Sequence, residues 1–187
     1  MKANEIYDYV ERLSELFRID TRQAGAVHGL QPVQLEVLHY LSICNRFSDT
    51  PMAVTEYLGQ TKGTVSQTIK VLEGKGLLSK VVDKEDKRIT RLALTAKGKR
   101  LIKQLVPTPM VVNACESLPE KTQEQIATSL SQLLSALLES NVLKTFGACH
   151  SCRYNSQAEG EEGYYCNLVQ QPLSIDDVQM ICREHET

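Results

Sequence analysis

The 187-residue sequence has no tryptophan, only three phenylalanines, four histidines and no long uninterrupted apolar run. A membrane-spanning helix needs about 18 or more consecutive apolar residues, so we expect no membrane partner. The chain opens with a charged helical pattern and lacks the short apolar core of a secretion signal, which predicts a cytoplasmic protein. No glycine-rich phosphate loop is present, and no histidine is spaced to pair with a nucleophile or an acid. We therefore expect a protein that is not an enzyme.

Positive charge is concentrated in the middle of the chain, although the net charge is only −2. Residues 52–106 contain 12 Lys and Arg against 5 Asp and Glu, a net charge of +7. Residues 1–51 sum to −2 and residues 107–187 to −7. A basic segment between acidic flanks is typical of a nucleic-acid-binding surface.

The basic segment contains a pattern typical of a helix-turn-helix. Val65, Ile69 and Leu72 recur at i, i+4 and i+7, which predicts the buried stripe of a helix over roughly 62–75. Thr61 is placed to cap its first amides and Gly76 to end it. The opposite face carries polar or cationic side chains: Lys62, Thr64, Ser66, Gln67 and Lys70. A short helix with such a face fits the major groove of DNA.

Two alternating segments, Leu77–Val82 and Ile89–Leu94, follow this helix and predict a two-stranded hairpin. The residues between them, DKEDK, are too charged to be anything but an exposed turn. Asp86 and Arg88 are two residues apart, so both side chains leave one face of the strand and the acid can hold the guanidinium extended. Lysines of this region, Lys62, Lys70, Lys75 and Lys80, are candidates for phosphate neutralisation.

The segment LGQTKGTVSQTIKVLEGKGLLSKV, followed by DKR and LALTAKG, resembles the MarR family of bacterial winged helix-turn-helix regulators over roughly residues 30–105. The resemblance implies a sequence-specific transcriptional regulator, a repressor, that binds double-stranded DNA as a homodimer on a pseudo-palindromic operator. It also implies a small-molecule effector, for which the sequence names no pocket, and an arginine that enters the minor groove. The DNA-binding residues are then expected to be Thr61, Lys62, Thr64, Ser66, Gln67, Lys70, Asp86 and Arg88.

The predicted architecture is mainly α with a small β wing (α+β). Further helices are expected over 4–21, 32–45, 51–58, 95–106 and 120–145, with a break at Pro107 and Pro109. We divide the chain into an N-terminal dimerisation helix (1–29), a winged helix-turn-helix domain (30–106), C-terminal dimerisation helices (107–146) and a Cys-rich metal-binding tail (147–187). Broad apolar faces on helices 4–21 and 120–145 favour their burial in a dimer.

Four of the six cysteines lie in the tail with the spacing C-x2-C-x13-C-x15-C. In a reducing compartment this predicts a metal centre on Cys149, Cys152, Cys166 and Cys182 instead of disulfides, with His185 as an alternative ligand. The spacing resembles that of high-potential iron–sulfur proteins, and thiolates hold a [4Fe–4S] cluster well. We favour [4Fe–4S] over zinc, and zinc remains the alternative.

The tail also leaves two other functions open. A metal-tail electron-transfer or oxidoreductase protein, or a zinc-stapled winged-helix interaction module, is compatible with the cysteines. If the chain is a regulator, an iron–sulfur or redox signal at the tail could gate DNA binding. The tail, anchored to the dimer helices, would then change the separation of the two recognition helices.

Overall fold

The computed structural model describes residues 2–84, 86–140, 144–157 and 163–186. Its first part is helical with one hairpin: α1 (Ala3–Ala26), α2 (Pro32–Ile43), α3 (Pro51–Leu58), α4 (Lys62–Gly74), β1 (Leu78–Val82), β2 (Thr90–Leu94), α5 (Ala96–Leu105), α6 (Pro109–Glu116) and α7 (Glu120–Ser140). Its second part is small: a 3-10 turn (Cys149–Ser151), β3 (Asn155–Gln157), β4 (Tyr164–Cys166), β5 (Gln171–Leu173) and α8 (Ile175–Gln179). The predicted α+β class with a small wing is confirmed.

The helix boundaries follow local sequence signals. The Thr61 hydroxyl accepts a hydrogen bond from the Thr64 amide at 3.2 Å and so begins α4. Gly76 follows the end of α4 with a φ of +67°, a left-handed conformation that glycine adopts without a Cβ penalty. Thr50 caps α3 in the same way, and Pro51 occupies its first turn.

The core of the first part lies around α2 and one face of α4. Val37, Leu38 and Tyr40 of α2 are fully buried. The predicted stripe Val65, Ile69 and Leu72 is at most 1% exposed. The periodicity therefore identified the buried face of α4 correctly, because a 3.6-residue repeat turns each of these side chains inward.

The wing is an antiparallel pair in which Leu78 faces Leu94 and Val82 faces Thr90. Each strand begins one residue later than the sequence pattern suggested. Helix α5 packs closely behind the wing, since a Cβ on Gly98 would lie 2.0 Å from the Leu77 carbonyl oxygen. Glycine is required there because any side chain would collide with backbone.

The largest differences from the predicted helices are in α1, α6 and α7, and the other helix ends differ by one or two residues. Helix α1 continues to Ala26, five residues beyond the expected end, because Gly25 is tolerated within it and packs against Leu30. The predicted break at Pro107 and Pro109 is found, but Pro109 also begins a short helix, α6, that the sequence reading omitted. Helix α7 ends at Ser140, and residues 141–143 lie outside the described residues.

The described residues of the tail, 144–157 and 163–186, form a small unit that we call the cysteine module. It contains an antiparallel sheet in the order β3-β4-β5, and α8 begins with a capping box between Ser174 and Asp177. The loop of residues 44–50 between α2 and α3, called the α2–α3 loop, receives the module: Ile181 bridges to Cys44.

The expected anchoring of the tail on the dimer helices is corrected by these contacts. The aromatic ring of Phe146 inserts beside Tyr40 and Tyr57, with centroids 6.1 Å and 5.2 Å away. Phe146 is 8% exposed and belongs to the core built around α2 and α4. The module therefore docks on the helix-turn-helix itself, because its apolar anchor and its backbone bonds find partners there.

Among the described residues, no helix combines the length and the apolar character that crossing a membrane requires.

Candidate nucleic-acid interface and cysteine cavity

The outer face of α4 is exposed and polar. Lys62, Thr64, Ser66, Gln67 and Lys70 all lie on this face, opposite the buried stripe of the helix. Thr61 is exposed too, but its hydroxyl is 2.9 Å from that of Thr64 and also accepts the Thr64 amide. The Thr61 side chain thus shapes the start of the helix, and the other polar side chains of this face carry donors or acceptors that can meet base edges or phosphates.

The four lysines suggested for phosphate contacts divide into two pairs. The Lys75 ammonium donates to the Gly29 carbonyl at 3.1 Å, and the Lys80 ammonium pairs with Glu73 at 2.8 Å. Across the described parts of the chain, the structure gives no such partner to Lys62 or Lys70. These two are the better candidates for phosphate contacts, since no internal bond has to be broken first.

At the wing, the Arg88 guanidinium is held by the Asp86 carboxylate. Arg88 Nε lies 2.9 Å from Asp86 Oδ1, and Nη2 lies 2.8 Å from Oδ2. The hydrogen bond from Arg88 lowers the pKa of Asp86, so the acid is charged at neutral pH. The Arg88 side chain remains 91% exposed. The two-residue spacing thus produces an extended, oriented cation, as the sequence suggested.

An open groove of about 600 Å³ separates α3 and α4 from the wing. Lys62 and Ser66 line it from α4, and Lys80 and Arg88 line it from the wing. Arg183 of the cysteine module also lines this groove and pairs with Glu56 of α3, Nε to Oε2 at 2.6 Å. Sequence reasoning missed Arg183 because 127 residues separate it from Glu56.

A second feature that the sequence reading missed fixes the wing to the α2–α3 loop. Arg91 donates from Nη1 to Asp49 at 2.9 Å and from Nε to Asp83 at 2.7 Å. Burial raises the pKa of Asp49, while its bond to Arg91 acts in the opposite direction. An acid 42 residues from its arginine gives no local pattern, so only the fold reveals this bridge.

The four tail cysteines line one enclosed cavity of about 60 Å³. Cys149 and Cys182 are buried in the module, and Cys152 and Cys166 are half-buried. Within residues 2–84, 86–140, 144–157 and 163–186, no three His, Cys, Asp or Glu side chains form a group that could hold a metal ion as they stand. The four thiols therefore line a shared cavity but do not converge on a single position at its centre.

The Cys149 and Cys182 thiols perturb each other's protonation. The Cys149 thiol lowers the pKa of Cys182 to about 6, and the Cys182 thiol raises the pKa of Cys149. The side chain of Asn45, from the α2–α3 loop, donates from Nδ2 to Cys149 Sγ at 3.2 Å. The cavity is thereby bordered by a residue from outside the module.

His185, the alternative ligand, is buried and both of its ring nitrogens have hydroxyl partners. Nδ1 lies 2.6 Å from the Thr145 hydroxyl and Nε2 lies 3.0 Å from the Ser151 hydroxyl. A Cβ on Gly147 would lie 2.6 Å from the ring, so the imidazole is tightly enclosed. This geometry favours the four-cysteine set over one that includes His185.

Helices α1, α6 and α7 leave apolar side chains uncovered in the single chain. They border an open groove of about 920 Å³ lined by Leu13, Phe17, Met110 and Leu130. Between 38% and 47% of each of these side chains is exposed. Cys115 of α6 lines the same groove and is exposed. Cys44, by contrast, is a buried core residue.

The comparisons with known proteins agree with the winged-helix geometry. Residues 28–89 match the model of the MarR family. A MarR transcriptional regulator from Methanosarcina mazei Go1 has a similar structure, with a TM-score of 0.62 over 73% of this chain and 98% of that chain. Its sequence identity is 22%, so this likeness concerns the fold alone.

Two structures of MepR from S. aureus are also similar, each at 27% identity over 70% of this chain. MepR in its DNA-binding conformation gives a TM-score of 0.59 and is covered over 98% of its length. The MepR–DNA complex gives 0.56 and is covered over 97%. Residues 28–89 are thus similar to the MarR family, and the shared fold with the arrangement of α3, α4 and the wing supports a winged helix-turn-helix domain in this chain.

Proposed function

We propose that this protein is a sequence-specific DNA-binding transcriptional regulator that acts as a homodimer on a pseudo-palindromic operator. The observation that carries the proposal is the pairing of two elements in one groove: the exposed polar face of α4 and the extended Arg88 of the wing. The net charge of +7 over residues 52–106 supports an anionic partner. MepR, which is similar over 70% of this chain, has been solved in complex with DNA.

The two elements suit different parts of a duplex. Gln67 can bond to adenine through both amide atoms, and Lys62 can donate to guanine in the major groove. Arg88 would enter the adjacent minor groove, where a narrow A/T tract concentrates negative potential. Lys70 would neutralise a phosphate. The direction of regulation that we propose is repression, because a dimer seated on a promoter excludes polymerase by occupancy alone.

Dimerisation is supported by the uncovered apolar faces of α1 and α7. Each such helix exposes a repeating row of large side chains: Ile6, Val10, Leu13 and Phe17 on α1, and Ile126, Leu130, Leu134 and Leu137 on α7. A contiguous apolar surface of this kind marks an association site. A two-fold dimer would place two α4 helices on successive major grooves and explain a palindromic operator.

The proposal is tested by the salt dependence of binding to a duplex enriched from a random pool. We expect log K to fall steeply with log salt, by roughly 0.9 for each neutralised phosphate. Arg88→Ala should weaken binding by about 10- to 100-fold, the loss expected for one good base-directed contact. Arg12→Ala removes an exposed cation of α1 and is the matched control. Equal affinities for wild type and Arg88→Ala at moderate salt would exclude this interface.

The second part of the proposal is a metal centre held by Cys149, Cys152, Cys166 and Cys182. Four thiols around one cavity form an all-sulfur donor set, which suits iron–sulfur clusters and zinc. Cys thiolates hold a [4Fe–4S] cluster well, so we propose [4Fe–4S], with zinc as the alternative. Such a group supplies a redox- or metal-dependent signal when bound.

Anaerobic purification followed by iron, zinc and acid-labile sulfide analysis distinguishes the iron–sulfur cluster from zinc. Iron with matching sulfide and a visible charge-transfer band, both lost in Cys149→Ser, supports the cluster. Stoichiometric zinc in a colourless protein supports the structural alternative. Cys115→Ser is the control, since Cys115 is exposed on α6 and outside the module. Metal-free protein with four reactive tail thiols would exclude both forms of the centre.

A small-molecule effector remains a prediction of the resemblance. Its test is a screen for ligands that release the selected duplex.

A further inference from the structure

The α2–α3 loop is bonded to the cysteine module on one side. Asn45 is fully buried and donates from its side chain to Cys149 Sγ, while its backbone amide donates to the Ile181 carbonyl at 2.9 Å. The Arg183 amide donates to the Ser48 hydroxyl at 2.8 Å. Three bonds therefore join residues 45–48 to the immediate neighbourhood of the cavity.

The same loop is bonded to the wing on its other side. The Leu92 amide of β2 donates to the Asp49 carbonyl at 2.7 Å, and Arg91 bridges Asp49 to Asp83. Asp83 in turn accepts the Asp86 amide at 3.0 Å. Asp86 is the acid that orients Arg88. A continuous set of bonds thus runs from the α2–α3 loop to the DNA-directed arginine.

Asn45 links the side of the α2–α3 loop that contacts the cysteine module to the side that contacts the wing. Its Oδ1 accepts the Phe47 amide at 3.1 Å, and its backbone carbonyl accepts the Ser48 amide at 3.0 Å. The amide group of Asn45 therefore spans from Cys149 to the turn that leads to Asp49. A buried side-chain N–H that loses its acceptor is costly, so a change at Cys149 must be met by a change in this turn.

We infer that Asn45 is a positioning residue that couples the cysteine site to the wing. Whether the Cys149 sulfur is held as an acceptor for Asn45 then determines the orientation of Arg88 and the affinity for DNA. The inference rests on the proposed DNA-binding function. A sulfur held as a ligand is a fixed acceptor for Asn45 and keeps the loop and the wing in their bonded arrangement. A protein without that acceptor has a looser wing and binds DNA more weakly. Coupling of this kind amounts to about 5- to 150-fold in affinity.

The test is a double-mutant cycle between Cys149→Ala and Asn45→Asp. A carboxylate at this position still accepts from the Phe47 amide but has no N–H to donate to Cys149. The variant therefore removes the bond to Cys149 and keeps the bond that forms the turn. Each single variant should weaken binding of the selected duplex by about 5- to 150-fold, and the double variant should bind like either single one. Additive losses would overturn the inference. Tyr165→Ala, which truncates an exposed side chain of the same module, serves as the control and should bind like wild type.

Two further measurements keep the test decisive. If Asn45→Asp does not fold, Asp49→Asn replaces it, because that variant loosens the loop from Arg91 on the wing side. Hydrogen exchange at the Leu92 amide, which bonds Asp49, should accelerate in Cys149→Ala. Unchanged Leu92 exchange and unchanged affinity in Cys149→Ala would overturn the coupling while leaving DNA binding intact. If wild type binds no duplex, the proposed function fails, and the exchange at Leu92 alone decides whether the coupling exists.

Discussion

Phe146→Ala should release the cysteine module from the helix-turn-helix. Phe146 is the only aromatic residue that the described part of the module inserts into the core around α2 and α4. It is 8% exposed, and its ring meets Tyr57 edge-on at 5.2 Å. Truncation removes this ring and leaves the module attached by the smaller apolar contacts of Ile181 and Phe47 and by hydrogen bonds and ion pairs.

The expected loss follows from the burial of the ring. A buried Phe→Ala substitution costs about 3–5 kcal/mol, which includes the cavity that is left. The two aromatic contacts, to Tyr40 and Tyr57, account for roughly 0.5–1.5 kcal/mol each beyond simple burial. Since domain stabilities are about 5–15 kcal/mol, a loss of this size should open the docked module long before global unfolding.

Native-state hydrogen exchange measures this opening at the Ile181 amide, which donates to the Ile43 carbonyl at 2.9 Å. We expect its opening free energy to fall by about 3–5 kcal/mol, while the amides of α4 keep their protection. Tyr165→Ala, which truncates a 40% exposed aromatic of the same module, is the control. A change below about 1 kcal/mol in Phe146→Ala would refute the docking that we describe.

Three other predictions concern the module and the dimer. Gly147→Ala places a Cβ 2.6 Å from the His185 ring and should destabilise the module by about 1–3 kcal/mol in thermal unfolding. Arg183 lowers the pKa of Glu56, so this ion pair contributes stability above the ordinary carboxyl pKa, and that contribution is lost as pH falls through the lower, folded pKa. Glu56→Gln should remove this pH dependence from module exchange. Leu130→Asp should yield monomers in light scattering, because it charges the exposed face of α7.

Each of these predictions can be contradicted by a specific result. Gly163→Ala, whose Cβ would have no neighbour within 4 Å among the described residues, is the control for Gly147→Ala, and equal unfolding temperatures would contradict the tight enclosure. The same acid dependence in wild type and Glu56→Gln would show that the ion pair does not hold the module. A dimer of unchanged mass for Leu130→Asp would move the interface away from α7.

Local sequence signals were sufficient to predict the helices and strands of the winged helix. The cap at Thr61, the stripe at Val65, Ile69 and Leu72, and the pair Asp86–Arg88 act within a few residues of one another. Each can be read from spacing alone, since helix and strand periods fix which side chains share a face. The confirmed parts of the fold are of this kind.

The position of the cysteine module could not be predicted in this way. Its bonds join residues that are far apart in sequence, and 104 residues separate Asn45 from Cys149. The spacing of the cysteines indicated a shared site, and the structure places all four around one cavity. The cysteine spacing contained no information about which surface receives the module, because docking depends on the shape of a core formed by other parts of the chain. The same holds for the bridge from Asp49 to Arg91.

The most direct test of the proposed function is the symmetry of the sequences that the wild-type protein enriches from a random duplex pool. We predict two inverted half-sites whose centres are one helical turn, about 10–10.5 base pairs, or a multiple of it apart. Arg88→Ala should lose the enrichment of the A/T steps beside each half-site. Enriched sequences without inverted symmetry, or no enrichment over the starting pool, would contradict sequence-specific reading by a dimer.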